Sequence, residues 1–229
     1  MRLLKKLTIA GAVAGTALMS AAGPAKADGP GPGLTGSFER AYLHFIIDHH
    51  FAALRMTELA AGTQLQPPPA PVVPDDTTSP SPSFPPTEAK AASPELRSLA
   101  RRNNRTQREE ILMAQTFLQQ WYGDNYQGQI TSENQQRINI LENTAPGASF
   151  DVEFSRVFSR HHFVAAGASL QCLVADDVTH VALERYCNSI IHTQVSDIDE
   201  MRHLLAQQYN ILDYQPLEGL EGKDSGPQQ

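Results

Sequence analysis

The sequence predicts an all-α protein, a bundle of four long helices arranged as two helical hairpins, the second a duplicate of the first. Three observations carry that prediction. Apolar residues recur three and four apart along the long segments, the spacing of one helix face. Helix-starting and helix-stopping residues bound those segments. No stretch alternates with the period of two that marks a half-buried strand.

In chain order, the 229 residues open with Arg2, Lys5 and Lys6, an apolar run from Leu7 to Ala22, and Ala25-Lys26-Ala27 before Asp28. This is the layout of a secretory signal peptide, and the run is short for a membrane span. Residues 1–27 are therefore expected to be removed on export, to a bacterial periplasm or beyond. No cysteine lies near the cut to carry a lipid anchor. Cleavage takes away four cations and no acid, so the formal charge moves from −7 to −11. Such an acidic chain without a basic run is not expected to bind nucleic acid or anionic membrane, which require clustered Lys and Arg.

Residues 28–37 (DGPGPGLTGS) read as a flexible lead. Phe38 to about Gly62 is free of Pro and internal Gly and reads as the first long helix, ended by a Gly cap. Residues 63–92, with nine prolines between Pro67 and Pro86, read as a linker inserted between the first two long helices. Ser93-Pro94-Glu95 is a helix start: Ser as N-cap, Pro at the first helical position, an acid in the first turn. That second helix runs to about Tyr122. A polar connection follows, with one short helix near Glu133–Glu142. The third long helix spans about Phe150 to Val174, and the fourth, capped by Asp176 or Asp177, continues to about Tyr209. The bundle domain is thus 38–209, and 210–229 is a polar tail.

The seam of the first helix is Tyr42, Ile46, His49, Ala53, Met56, Ala60; that of the third is Phe154, Phe158, His161, Ala165, Ala168, Cys172. Their partners carry Asn103, Gln107, Glu110, Ala114 and Ile190, Gln194, Asp197, Met201 at matching steps. Counting from the helix ends at about 1.5 Å per residue sets each seam His level with its hairpin's Gln. With all seams inward, His49, His161, Gln107, Gln194, Glu110 and Asp197 converge mid-bundle. Met56 then lies towards the linker end and Met201 towards the opposite end. Burying so many polar groups is costly unless they bond each other or a ligand. Two readings of the layer stand open: a hydrogen-bond network fixing helix register, or a metal site held by His, Met and carboxylate. His50 and His162, about 100° round the helix from their neighbours, are expected in a flanking groove or in solvent, as a second ligand shell or a polar boundary. His44, His192 and His203 read as surface residues.

His-His-x-x-Ala-x-x-Met followed by Gln-x-x-Glu-Ile-x-x-Met, each occurring twice, resembles the bacterial, mostly exported family called domain of unknown function 305, over most of Phe38 to Leu205. The resemblance implies a ferritin-like four-helix bundle and, for some members, periplasmic copper binding linked to copper resistance. The first motif is complete at His49, His50, Ala53 and Met56. Its partner has Gln107, Glu110 and Ile111, with Ala114 at the Met position and Met113 one residue early. The second copy has His161, His162 and Ala165 with Ala168 for Met, then Gln194, Ile198 and Met201 with Asp197 for Glu. The resemblance implies an exported, non-enzymatic metal-binding protein for copper. Its expected ligands are His49, His50, Met56, His161, His162 and Met201, supported by Gln107, Glu110, Gln194 and Asp197.

Two other functions compete. A ferritin-like di-metal oxidase wants Glu-x-x-His on two helices plus Glu from each of the others, and only Glu200-x-x-His203 has that spacing. An interaction or scaffold protein would use the His–Gln layer structurally and the Pro-rich insert as a spacer or partner-binding segment. No Gly-x-Ser-x-Gly elbow supports hydrolase chemistry. Cys172 and Cys187 lie on seams, and outside the cytoplasm a disulfide is the default. Helix counting gives them an axial mismatch of about 7 Å, at the edge of what the bond permits. A bond, buried thiols and soft ligands at the turn all remain open.

Overall fold

The computed structural model describes residues 33–63 (side chains from Phe38 onward), 84–175 and 178–212. The expected signal peptide, most of the Pro-rich linker, the Asp176 and Asp177 caps and the tail beyond Leu212 lie outside the described residues. The helices are α1 Gly33–Ala61, α2 Pro94–Tyr122, α3 Ser132–Asn143, α4 Ala148–Val174 and α5 Val181–Tyr209. Among the described residues there is no strand, and the fold is the all-α helical bundle expected.

Local chemistry explains most of the ends. α1 begins directly after Pro32, inside the stretch expected as a flexible lead, because no proline lies beyond that point to stop the helix. It ends at Gly62, whose φ of +83° suits a residue without a side chain; a Cβ there would meet the Ala89 nitrogen at 3.1 Å. The Ser93 hydroxyl accepts from the Leu96 N–H at 3.2 Å, the cap expected for α2. Residues 84–93 lie back along the bundle end. Lys90 and Ala91 donate to the carbonyls of Leu59 and Ala60, and Asp151 of α4 takes the N–H groups of Ala92 and Ser93.

α5 starts at Val181, and the N–H groups of the two residues before it are met from α1. The fully buried Glu39 carboxylate accepts the N–H groups of Thr179 (2.8 Å) and His180 (3.0 Å) and also bonds His180 Nδ1 at 2.7 Å. Anionic charge at a helix start is favourable.

α1 pairs with α2, and α4 with α5. The return through α3 brings α4 back to the end where α1 finishes, so α1 and α4 run antiparallel. Tyr42 bonds Ser169 at 2.8 Å near one end, and His49 meets His161 midway. Two apolar clusters result. One holds Met56, Phe150, Phe154, Phe158 and Met201; the other holds Tyr42, Ile46, Ala114, Ala165, Cys172 and Cys187. Met201 therefore lies at the Met56 end, not the opposite one, because the second hairpin is inverted relative to the first. Cys172 and Cys187 are disulfide-bonded with their Cα atoms 6.4 Å apart.

Candidate metal centre

Four imidazoles are buried at mid-bundle: His49 is 2% exposed, and His50, His161 and His162 are fully enclosed. The placement of His50 and His162 corrects the expectation of a groove or solvent. His50 faces Glu110 of its hairpin partner α2, and His162 lies between Asp197 of its partner α5 and Asn103 of α2, so polar side chains shelter both rings.

His49 and His161 stack with centroids 3.5 Å apart and planes 11° from parallel. His49 Nε2 bonds the His161 carbonyl at 2.9 Å, and His161 Nε2 bonds the His49 carbonyl at 3.1 Å. This exchange marks an approximate two-fold axis between the hairpins. His50 Nε2 lies 2.9 Å from Glu110 Oε2 but without hydrogen-bond alignment. At the equivalent place His162 Nε2 is 3.4 Å from Asp197 Oδ2 and bonds Asn103 Oδ1 at 3.0 Å. The shorter Asp197 falls back, and Asn103 fills the gap. The seam residue of α5 that matches Asn103 is the apolar Ile190, which brings no oxygen to the other half.

Gln107 donates to Asn103 Oδ1 at 3.1 Å, so its own carbonyl oxygen is left over. The Oε1 atoms of Gln107 and Gln194, the Nδ1 atoms of all four histidines, and His50 Nε2 are buried without a hydrogen-bond partner among the described residues. Buried polar atoms of this kind are uncommon in folded proteins and call for an explanation. Burial, and then the fields of neighbouring imidazoles, hold His49 and His161 well below the usual histidine range. These rings are therefore neutral at neutral pH and present a lone pair, the form in which imidazole binds a metal.

The methionines adjoin this layer on one side. Phe158 packs on His162 at 4.2 Å between centroids and shares the cluster containing Met56 and Met201. The Ser159 hydroxyl lies 3.6 Å from the Met201 sulfur. Among the described residues, no three His, Cys, Asp or Glu side chains converge as a ready ligand set. The donors fit an ion that takes few ligands or draws on thioether sulfur, better than a closed cage of imidazole and carboxylate. Glu200 and His203, the sole Glu-x-x-His pair, are both exposed and away from the layer; Glu200 pairs with Arg102, and His203 sits beside Asp199.

His44 is half-buried, bonded to Asp124 at 2.8 Å and stacked on Tyr126. Sequence reasoning missed two features. Asn103 was visible on the seam but not marked as the partner of His162. The Glu39–His180 contact, with Trp121 stacked on His180 at 3.9 Å, joins residues too far apart in the chain to leave a local signal.

The fold has solved counterparts. It is similar to CopM in its Cu(I)-bound form (23% identity, TM-score 0.55, covering 75% of this chain and 97% of that one). It is also similar to CopM in its Cu(II)-bound form (22%, TM-score 0.52, 72% and 94%). A fragment of the same domain type from Deinococcus radiodurans matches at 20% identity and TM-score 0.54, over 77% of this chain and 98% of that one. These likenesses show a shared bundle fold. No curated protein sequence matches the chain. Residues 86–205, more than half of the chain, match the family described as domain of unknown function (DUF305). The protein belongs to the DUF305 family.

Proposed function

We propose that this chain is an exported, non-enzymatic metal-binding protein whose cargo is copper, held in the histidine layer between the hairpins. The observation that carries the reading is the set of unpartnered ring nitrogens on His49, His50, His161 and His162, all buried at one level. Met56 and Met201 supply thioether sulfur from the adjoining cluster, a ligand type that favours Cu(I). Gln107, Glu110, Gln194 and Asp197 orient the layer. Two further facts support the cargo and the compartment. The CopM structures of similar fold were solved with Cu(I), Cu(II) and Ag, and residues 1–27 have the layout of a signal peptide.

The test is a titration of the chain from Asp28 onward with Cu(I), without oxygen, against a chromophoric chelator. Replacing all four layer histidines by Ala is expected to abolish uptake. Because emptying that layer also weakens the fold, Met56→Leu and Met201→Leu provide the second arm. These volume-conserving changes are expected to keep the helical content and weaken Cu(I) more than Cu(II). Unchanged stoichiometry and affinity in both sets would overturn the proposal.

A structural role for the layer is the competing reading, favoured by the reciprocal bonds between His49 and His161. It predicts melting that ignores added copper.

A further inference from the structure

α2 and α5 approach each other in few places, and an open cleft of about 340 Å³ lies between their stretches 102–107 and 192–197. Its lining includes Asn103, Gln107, His192, Gln194, Ser196 and Asp197. Three of these carry side-chain oxygens that bear on an ion. The Oε1 atoms of Gln107 and Gln194 are buried and unpartnered, both residues being 1% exposed. Asp197 is 17% exposed at its side chain and reaches to 3.4 Å from His162 Nε2. The cationic group of the lining, Arg102, is tied to Glu200 at 2.5 Å, so the acid of Asp197 is left to set the local charge.

We propose that this cleft is the port through which a hydrated divalent ion enters, drawn first by the Asp197 carboxylate and then passed by the side-chain oxygens of Gln107 and Gln194 as it sheds water on the way to His162. The inference rests on the metal-binding reading above. Amide and carboxylate oxygens are hard donors that replace water weakly at a copper(II) ion, whereas imidazole is a donor type that copper prefers. The partly exposed Asp197 meets the ion while it is hydrated, and the buried Gln oxygens and then the histidine layer take it as water is shed. This gives the duplicated glutamines a role that a pure register lock does not require: one oxygen of each stays free.

Stopped-flow loading of the chain from Asp28 onward with aqueous Cu(II) tests the port. Ser196→Trp, on the exposed rim, is expected to slow loading and leave the final stoichiometry intact. Asp197→Asn is expected to slow it roughly tenfold, the lower end of what a charged cleft adds to an on-rate. Leu112→Trp, on the exposed outer side of α2, controls for an added indole and is expected to load at the unmodified rate. Equal rates for Ser196→Trp, Asp197→Asn and the parent overturn the port while leaving the binding function standing. No copper uptake by the parent chain overturns both.

Discussion

Each imidazole of the His49–His161 stack gives one nitrogen to the opposite helix's carbonyl and keeps the other unpaired. Holding both rings neutral makes the fold pH-sensitive in a defined direction. Their folded-state affinity for protons is depressed, so below about pH 6.5 the unfolded chain binds more protons than the native one. Stability is therefore full above that pH and falls on acidification, by up to about 1.4 kcal/mol per pH unit for each ring. Denaturant titrations between pH 7.5 and 5 check this; a flat profile would contradict it. Asn103 is the other sensitive residue, since it accepts from Gln107 and bonds His162. Asn103→Leu is expected to cost about 1–3 kcal/mol in urea unfolding, by leaving two buried groups without partners. At this scale the seam histidines were legible because helix periodicity picks out the inward residue. The burial of His50 and His162 was not, because it depends on how far α2 and α5 wrap round, which periodicity does not report.

At the scale of elements, helix ends set by their own neighbours were readable and ends set from a distance were not. Ser93, Pro94 and Gly62 act within a turn of the ends they define, and each end lies where the residues place it. Gly62→Ala would combine a left-handed φ with a close approach to Ala89, and is expected to cost more than about 1 kcal/mol. Thermal melting checks it. The start of α5 depends instead on Glu39, 141 residues away from His180. Burial pulls the Glu39 carboxyl upward, but donors from Tyr122, His180 and Thr179 outweigh it and hold it below the usual carboxylate range. Glu39→Ala strands these buried partners. It is expected to cost about 3–5 kcal/mol, the range for removing one partner of a buried charged network, with the loss read as lower cooperativity at the α5 start by hydrogen exchange.

For the whole molecule, counting residues from the helix ends set the histidine level correctly in both hairpins. It did not say which way the second hairpin stands. That is decided by α3, which spans the bundle and delivers α4 to the end of α1; a tight turn would have given the other orientation. The disulfide is also a property of the whole, fastening the α4–α5 turn across a sequence separation of 15. Reduction is expected to lower stability by about 3 kcal/mol, the value for a loop of that length. Urea curves with and without reductant measure it.

Inversion of the hairpins has a consequence for how the repeat diverges. A change made in both copies of one motif falls at opposite ends, and the molecule keeps its symmetry. A change in the first copy of one motif and the second copy of the other falls at a single end. Ala114 and Ala168 are of the second kind: both belong with the cluster that holds the disulfide, and the two methionines kept at motif positions, Met56 and Met201, stand at the far side. The duplicated chain has thereby acquired a front and a back: buried thioethers flank the histidine layer on one side, and a cystine closes the core on the other.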